Sequence, residues 1–427
     1  MRYGYFDDEA KEYVITRPDT PLSWSNYLGS TEYGAILTNN AGGYGFYRSG
    51  ARGRFLRLRF NSVPMDQPGR YFYLRDQESG DYWSASWQPV GKPLEQYAST
   101  CRHGTAYTVI ESRYAGIATE TTYFVPLGQA FEYWRLRVTN ESDRRREISA
   151  FTFCEFTNQW DTYQDRVNLQ YSLFIVRGEL VDDLLRIAIQ DNLTPESEAF
   201  FIHDIARHCW MTLVGAPLDG YDTSRDAFLG LYRGYHNPLV VEKGQCTNSN
   251  VYGDNACGSL QTNLTLQPGE SREVLVMLGI GDARSVGKRT VAEYGSLERA
   301  EAELQRLKDT WHARLGSLVV ETPRNAIGCL AEIRASGGTG VTVSDHAIRG
   351  AISRLGRLTG VFAEPAGAAV VAGLDAALEE QIVDRNERVV LMVTGNGLKD
   401  IEAAAAALPA REPIPPTLEA VEERIMN

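Results

Sequence analysis

The sequence predicts a mainly β protein: a large antiparallel β-supersandwich, then a linker helix, then an incomplete α/β fragment. Three observations carry that expectation. All seven Trp and all 22 Tyr lie before residue 312, and the only aromatic beyond Arg324 is Phe362. Short stretches alternating apolar with charged residues recur through the first two thirds of the chain, with turn signals between them. Alanine moves the other way, culminating in the run at 403–407. Aromatic and β-branched residues favour strands, whereas Ala, Leu, Glu and Arg favour helices, so the boundary marks a change of fold class.

Taken in order, Phe55-Leu-Arg-Leu-Arg-Phe60 alternates as a half-buried strand does. Tyr133-Trp-Arg-Leu-Arg-Val138 repeats the pattern, Thr139-Asn-Glu-Ser-Asp143 reads as a hairpin turn, and Ile148-Ser-Ala-Phe-Thr-Phe-Cys154 as the next strand. Further turns are expected at 39–43, 78–81 and 267–270, and a last strand at 273–279. Many strands at short spacing imply an enlarged double-sheet sandwich. From Ser296 the apolar positions Leu297, Ala300, Leu304, Leu307, Trp311 and Leu315 share one helical face, a linker helix. Beyond it, 348–358 reads as helix, and a second helix opens with Pro365 in its first turn. Arg388-Val-Val-Leu-Met-Val393 has the composition of a strand buried on both faces, with an Ala-rich helix after Gly397. The expected domains are 1–285 (supersandwich), 286–322 (helical linker) and 323–427 (α/β fragment).

Composition narrows the function classes. A net charge of −12 opposes binding to phosphate backbones, so no nucleic-acid partner is expected. No run of 18 apolar residues exists, and no membrane association is expected. Acidic Asp7, Asp8 and Glu9 stand where a secretory signal would need an apolar core, so the cytoplasm is the expected location. The six cysteines are widely spaced with no C-x-x-C, which argues against a metal site, and Cys246 and Cys257 are expected to remain reduced.

Specific segments then resemble a known family. They are Met1-Arg-Tyr-Gly-Tyr-Phe-Asp-Asp-Glu-Ala10, Asn26-Tyr-Leu-Gly29, Ala41-Gly-Gly-Tyr-Gly-Phe-Tyr47, Gly69-Arg-Tyr-Phe-Tyr-Leu-Arg-Asp76 and Arg102-His-Gly104. Together they resemble the N-terminal part of the cellobiose and chitobiose phosphorylase family. Gly80-Asp-Tyr-Trp-Ser-Ala-Ser-Trp-Gln-Pro-Val90 and Asp226-Ala-Phe-Leu-Gly-Leu-Tyr-Arg233 are closer to the chitobiose branch. The resemblance runs to about residue 322 and implies a β-supersandwich, a helical linker and an (α/α)6 barrel. It also implies phosphorolysis of a β-linked disaccharide, with inorganic phosphate as co-substrate and a sugar 1-phosphate as product. An inverting glycosidase needs an acid and a base. Phosphate is already an anion, so a single acid remains, an Asp that follows a G-x-R-D-x-x-Q-D stretch in the family. No such stretch occurs here, and Arg75-Asp76-Gln77 lacks the second Gln-Asp. No catalytic residue is therefore assigned.

The family also implies a homodimer in which one subunit's loop helps cover its neighbour's active site. Glu155-Phe-Thr-Asn-Gln-Trp-Asp-Thr-Tyr-Gln-Asp165 has the composition of a loop facing a small β-linked saccharide, with Asn158, Gln159, Trp160 and Asp161 as candidate contacts. The same segment also reads as a polar loop with Trp160 packed on the sandwich. Trp83 and Trp87 read as either a stacking platform or packing residues. His103 is expected to be structural.

The tail resembles a different family. Pro323-Arg-Asn-Ala326, Ser336-Gly-Gly338, Val343-Ser-Asp345, Gly360-Val-Phe-Ala-Glu-Pro-Ala-Gly-Ala-Ala369 and Val393-Thr-Gly-Asn-Gly-Leu-Lys-Asp400 resemble the C-terminal part of threonine synthase, a pyridoxal-phosphate enzyme. That resemblance places Thr394, with Gly395 and Gly397, against the cofactor ring. The family's Schiff-base lysine lies in an S-F-K-D segment absent here, and Lys399 is not its equivalent. Gly337-Gly-Thr-Gly340 matches a part of that family that does not bind phosphate. No bound cofactor is expected. The join near 321–324 has no Gly/Ser-rich or Pro-rich linker, whereas complete domains are usually joined through exposed linkers. A chimeric gene is the expected origin. The functional expectation is a non-catalytic phosphorylase module, with a sugar-binding or dimerisation module and a pyridoxal-phosphate enzyme as the other readings.

Overall fold

The structure is a computed structural model that describes residues 3–29, 32–59, 64–167, 173–189, 207–316, 333–397 and 417. Two compact units divide the chain, Met1–Ser317 and Leu318–Asn427. The first unit begins with β1 (Gly4–Asp7), β2 (Glu12–Ile15), β3 (Ser25–Gly29), β4 (Tyr33–Thr38), β5 (Gly43–Tyr47), β6 (Arg54–Leu56) and β7 (Tyr71–Asp76). After β8 (Tyr82–Ser84) come β9 (Ala98–Gly104), β10 (Tyr107–Tyr114), β11 (Ile117–Phe124), β12 (Phe131–Asn140) and β13 (Arg146–Glu155). A short helix, α1 (Thr162–Val167), precedes β14 (Val176–Val181), β15 (Leu184–Ile189), β16 (His208–Val214) and β17 (Gly220–Ser224). Helices α2 (Arg225–Leu229) and α3 (Leu239–Lys243) lead to β18 (Val251–Tyr252), β19 (Ala256–Leu266) and β20 (Ser271–Ile280). Two helices, α4 (Lys288–Tyr294) and α5 (Leu297–Gly316), close the unit.

The protein is mainly β, as the sequence predicts. Among the described residues an 11-stranded sheet runs β1-β2-β9-β10-β11-β12-β20-β16-β15-β14-β18. A five-stranded sheet runs β17-β19-β13-β7-β8, and a four-stranded one β3-β4-β5-β6. Every ladder pairing is antiparallel, so hairpins and longer returns suffice to connect them.

Alternation along β12 and β20 explains why this sheet is covered on both sides. Trp134, Leu136 and Val138, with Val274, Val276 and Leu278, enter the core that also holds Phe151 and Phe153 of β13. Tyr133, Leu275 and Met277 point to the opposite face, where Tyr294, Ala300, Leu304 and Leu307 pack on them. The Tyr133 hydroxyl donates to the Tyr294 carbonyl at 2.7 Å. The helical face read from the sequence is thus the face that covers the sheet. Within the ladder, Arg137 opposes Glu273 and the two form an ion pair at 2.7 Å.

The strand expected over 55–60 is shorter. Only Arg54–Leu56 joins a ladder. Arg57 N–H instead donates to the Glu155 carbonyl at 2.8 Å, and Arg59 N–H to that of Gln67 at 2.9 Å. Phe60 lies outside the described residues.

In the second unit, α6 (Asp345–Thr359) starts at the Ser344 cap, whose hydroxyl accepts from Ala347 N–H at 3.2 Å, and stops at Gly360 with φ +75°. Next comes α7 (Pro365–Glu379), with Pro365 in its first turn. The helix pair packs around Ala351, Ile352, Ala363, Ala368, Val371 and Ala372. The buried strand expected over 388–393 does not form, and Val390 is 88% exposed and Met392 73%. An apolar run becomes a buried strand only beside partner strands, and among the described residues of this unit the sole β contact is the isolated bridge Ala363–Asn396. The junction at 321–324 and the expected Ala-rich helix lie outside the described residues.

Candidate functional site

Strand β13 leaves the five-stranded sheet at Glu155, and the following loop reaches α1 at Thr162. The Glu155 carboxylate is fully buried and collects three arginines. Arg57 donates to it at 2.8 Å, Arg225 at 3.1 Å, and Arg59 makes a still shorter contact. The Tyr235 hydroxyl adds a donor at 2.7 Å. Burial by itself would raise this carboxyl's pKa, but Arg59, Arg57, Arg225 and the tyrosine together pull it down to about 2.

Arg57 bridges that cluster to the loop. It places a fork on Asp165, at 3.1 and 2.7 Å, and donates to Asn255 Oδ1 at 2.6 Å. Asp165 in turn accepts the backbone N–H groups of Asn158 at 2.8 Å and Gln159 at 3.3 Å. Strand, helix and loop are therefore pinned by charge at one point.

The four candidate contacts occupy different environments. Trp160 is 1% exposed, with its ring centroid 6.4 Å from Tyr47 and 6.2 Å from Phe55. Asp161 caps α1, accepting from Tyr163 N–H at 2.9 Å and Gln164 N–H at 3.0 Å. Gln159 Oε1 accepts from Arg207 at 2.6 Å. Asn158 is 1% exposed, and neither its side-chain nitrogen nor its oxygen has a partner. A buried amide left unpaired is expensive and calls for a partner, whether ligand, ion or ordered water.

Other residues singled out in the sequence are packed. Trp83 is buried 5.2 Å from the Tyr114 ring, and Trp87 Nε1 donates to the Lys92 carbonyl at 2.7 Å. His103 shares hydrogen bonds with Thr108 Oγ1 at 2.9 Å and the Trp24 carbonyl at 3.2 Å, and burial lowers its pKa to about 4. Cys246 and Cys257 are free thiols. No group of His, Cys, Asp and Glu among the described residues could hold a metal ion.

Sequence reasoning missed a cavity of about 700 Å³ on the first unit. Phe6, Tyr27, Phe46 and Trp311 wall it, with Asp8 and Lys11 at hand. These residues come from β1, β3, β5, α5 and a turn, so no local spacing could have announced the site.

The described residues of the second unit do not fit pyridoxal phosphate. They include no lysine. At Thr394-Gly-Asn-Gly397 the Glu364 carboxyl lies against the Cα of Gly395 and the Phe362 ring against that of Gly397. Gly395 C=O accepts from Glu364 N–H, and Gly397 N–H donates to the Phe362 carbonyl, both at 3.1 Å. Around Gly395 and Gly397 the space and these backbone groups are taken by the chain itself. Gly337 and Gly340 face open space.

Comparison with known proteins finds two families along the chain. Residues 11–297 match the supersandwich domain of glycosyl hydrolase 94, and residues 284–395 match the pyridoxal-phosphate dependent enzyme family. The overlap at 284–297 is physically part of the first unit, since Tyr294 packs on the sheet. An N,N'-diacetylchitobiose phosphorylase of Vibrio proteolyticus is 40% identical over 77% of this chain and 39% of its own length. A solabiose phosphorylase of Paenibacillus borealis is 30% identical over 75% of this chain and 40% of its own. A threonine synthase of Methanocaldococcus jannaschii is 46% identical over 22% of this chain and 23% of its own. The chain thus spans about two fifths of the phosphorylases it matches, and through its supersandwich domain it belongs to the glycosyl hydrolase 94 family.

Proposed function

We propose that the first unit is the non-catalytic scaffold of a β-disaccharide phosphorylase, and that this chain, a chimera of two enzyme fragments, carries out no phosphorolysis. The observation that carries the reading is the supersandwich match over residues 11–297, which ends as the covering helix α5 begins, followed beyond α5 by a helix pair in the segment similar to a different family. The parent reaction needs a proton donor for the leaving oxygen, and removal of such a group costs about 10²- to 10⁴-fold in rate. The buried Glu155 carboxylate is unsuited to that task. Glu155 is held ionised by its arginines, and an ionised carboxylate has no proton to give.

What the unit retains is a loop pinned at Glu155 and Asp165, with Trp160 as its anchor in the core and the buried, unpaired Asn158 amide as the group a saccharide would have to reach. Incubating the chain with N,N'-diacetylchitobiose and inorganic phosphate should release no sugar 1-phosphate above background. Turnover well above background would refute the reading. Titration with the same disaccharide at millimolar concentration tests the retained contact. A signal lost in Asn158→Ala but kept in Tyr27→Ala assigns it to the loop, and the reverse assigns it to the 700 Å³ cavity. Absence of binding in the parent chain would leave the unit a scaffold only.

A further inference from the structure

We propose that the cavity of about 700 Å³ on the first unit binds an uncharged saccharide, stacked on Phe6 and Tyr27 and hydrogen-bonded to the Glu12 carboxylate. The volume is that of a small-ligand site. Phe6 and Tyr27 line it and are 76% and 74% exposed, yet both are held in place. The Phe6 ring meets Tyr13 edge-on at 4.7 Å, and Tyr13 lies 5.8 Å from Trp24. Tyr27 is paired in the ladder opposite Ile36. A side-chain carbon at Gly34 would collide with the Phe46 ring, so that ring lies on bare backbone in the cavity wall. Fixed aromatic faces left open to water offer the apolar C–H face of a sugar ring a ready platform.

Glu12 supplies the polar group. It lines the cavity with its side chain 8% exposed. Its Oε1 accepts the Tyr107 hydroxyl at 2.7 Å. The partner of Oε2 among the described residues is Arg102 Nε, 3.7 Å away and beyond hydrogen-bonding distance. A buried carboxylate oxygen in that position calls for a donor.

Charge selects the kind of donor. Arg102 stands beside Glu12, and Lys308 Nζ lies 4.4 Å from the ring centroid of its partner Tyr107, so the carboxylate already has cations around it. Asp7, Asp8 and Glu12 outnumber Lys11 in the lining, which opposes an anion. An uncharged hydroxyl remains, and a molecule with an apolar face and a rim of hydroxyls is a pyranose. The choice of a sugar rests on the reading of this unit as a disaccharide-phosphorylase scaffold. The site is separate from the Asn158 loop, since no residue of 155–165 lines it.

Titration of the intact chain with N,N'-diacetylchitobiose at millimolar concentration, followed in variants, tests the site. Phe6→Ala and Tyr27→Ala should each weaken binding by about fivefold or more, and both side chains are too exposed to hold the fold. Glu12→Gln should weaken it by about threefold, because hydrogen bonds to charged groups are the stronger ones. If that variant loses its fold, the two ring variants decide alone. Tyr252→Ala should leave binding unchanged, as this tyrosine is also exposed, at 64%, but sits on β18 at the other edge of the large sheet. Tetramethylammonium and inorganic phosphate, a cation and an anion, should not compete. No binding, binding indifferent to both ring variants or to a folded Glu12→Gln, or competition by either ion would each overturn the proposal. The scaffold reading fails on a different readout, release of a sugar 1-phosphate, so the two failures are distinguishable.

Discussion

At the scale of single residues, the Glu155 carboxylate decides whether the candidate loop has a fixed position. Three guanidinium groups converge on it, of which Arg57 also holds Asp165 and Arg225 also holds Asp226. Replacing it with glutamine keeps the shape and removes the charge, so Arg59 and Arg225 face a neutral amide. Removing one partner of a buried pair costs about 3–5 kcal/mol, far more than a surface pair. Glu155→Gln should therefore lower the stability of the first unit by about that amount in urea denaturation at neutral pH. The sign with pH follows from a folded pKa of about 2, below the ordinary carboxylate value of 4.5. The ionised form is favoured by folding, so its contribution is complete above about pH 4.5 and fades as pH falls toward 2. The gap between wild type and variant should narrow over that window. A gap equal at pH 3 and pH 7 would mean that packing, not charge, holds the cluster.

Elements were legible in the sequence where their signal is local. The alternation in β12 and β20, the Ser344 cap with Gly360 closing α6, and Pro365 opening α7 all lie within a few residues of what they determine. The loop was legible in composition but not in orientation, because Arg57, the group that pins Asp165, lies 108 residues away. The run at 388–393 has the composition of a buried strand, but that composition encodes a demand for neighbours that the incomplete α/β fragment does not supply. For α5 the sequence encodes both the helix and its buried stripe. Leu307 is 1% exposed against the outer face of the large sheet. Leu307→Ala should destabilise the first unit by about 2–5 kcal/mol through lost burial and the cavity left behind. Gln305→Ala, on the exposed side of the same helix, should change stability by less than about 0.5 kcal/mol. Equal effects of the two would show that α5 does not pack by this face.

At the scale of the whole molecule, two units of unequal cohesion share one chain. The first has a continuous core of Trp, Tyr, Phe and aliphatic residues, plus the second layer under α4 and α5. Among the described residues, the second packs around a cluster of six buried ones, of which Ala351, Ala363, Ala368 and Ala372 are alanines. An alanine buries a single methyl group, and stabilisation scales with apolar area at about 25 cal/mol per Å². The helix pair thus has little to set against the entropy of ordering its chain. Calorimetry should accordingly show two transitions, a small one at lower temperature from the helix pair and a large one from the sandwich. Dividing the chain at the boundary between Ser317 and Leu318 supplies the control, because each unit has its own core. Residues 1–317 alone should lose the small transition and keep the large one within about 2 °C, since a change of 1 kcal/mol moves the midpoint of a domain this size by roughly 2–4 °C. One cooperative transition in the intact chain, or a sandwich midpoint displaced far beyond that margin after truncation, would show that the units stabilise each other. The sandwich would then depend on a partner for which its own two-sided core shows no need.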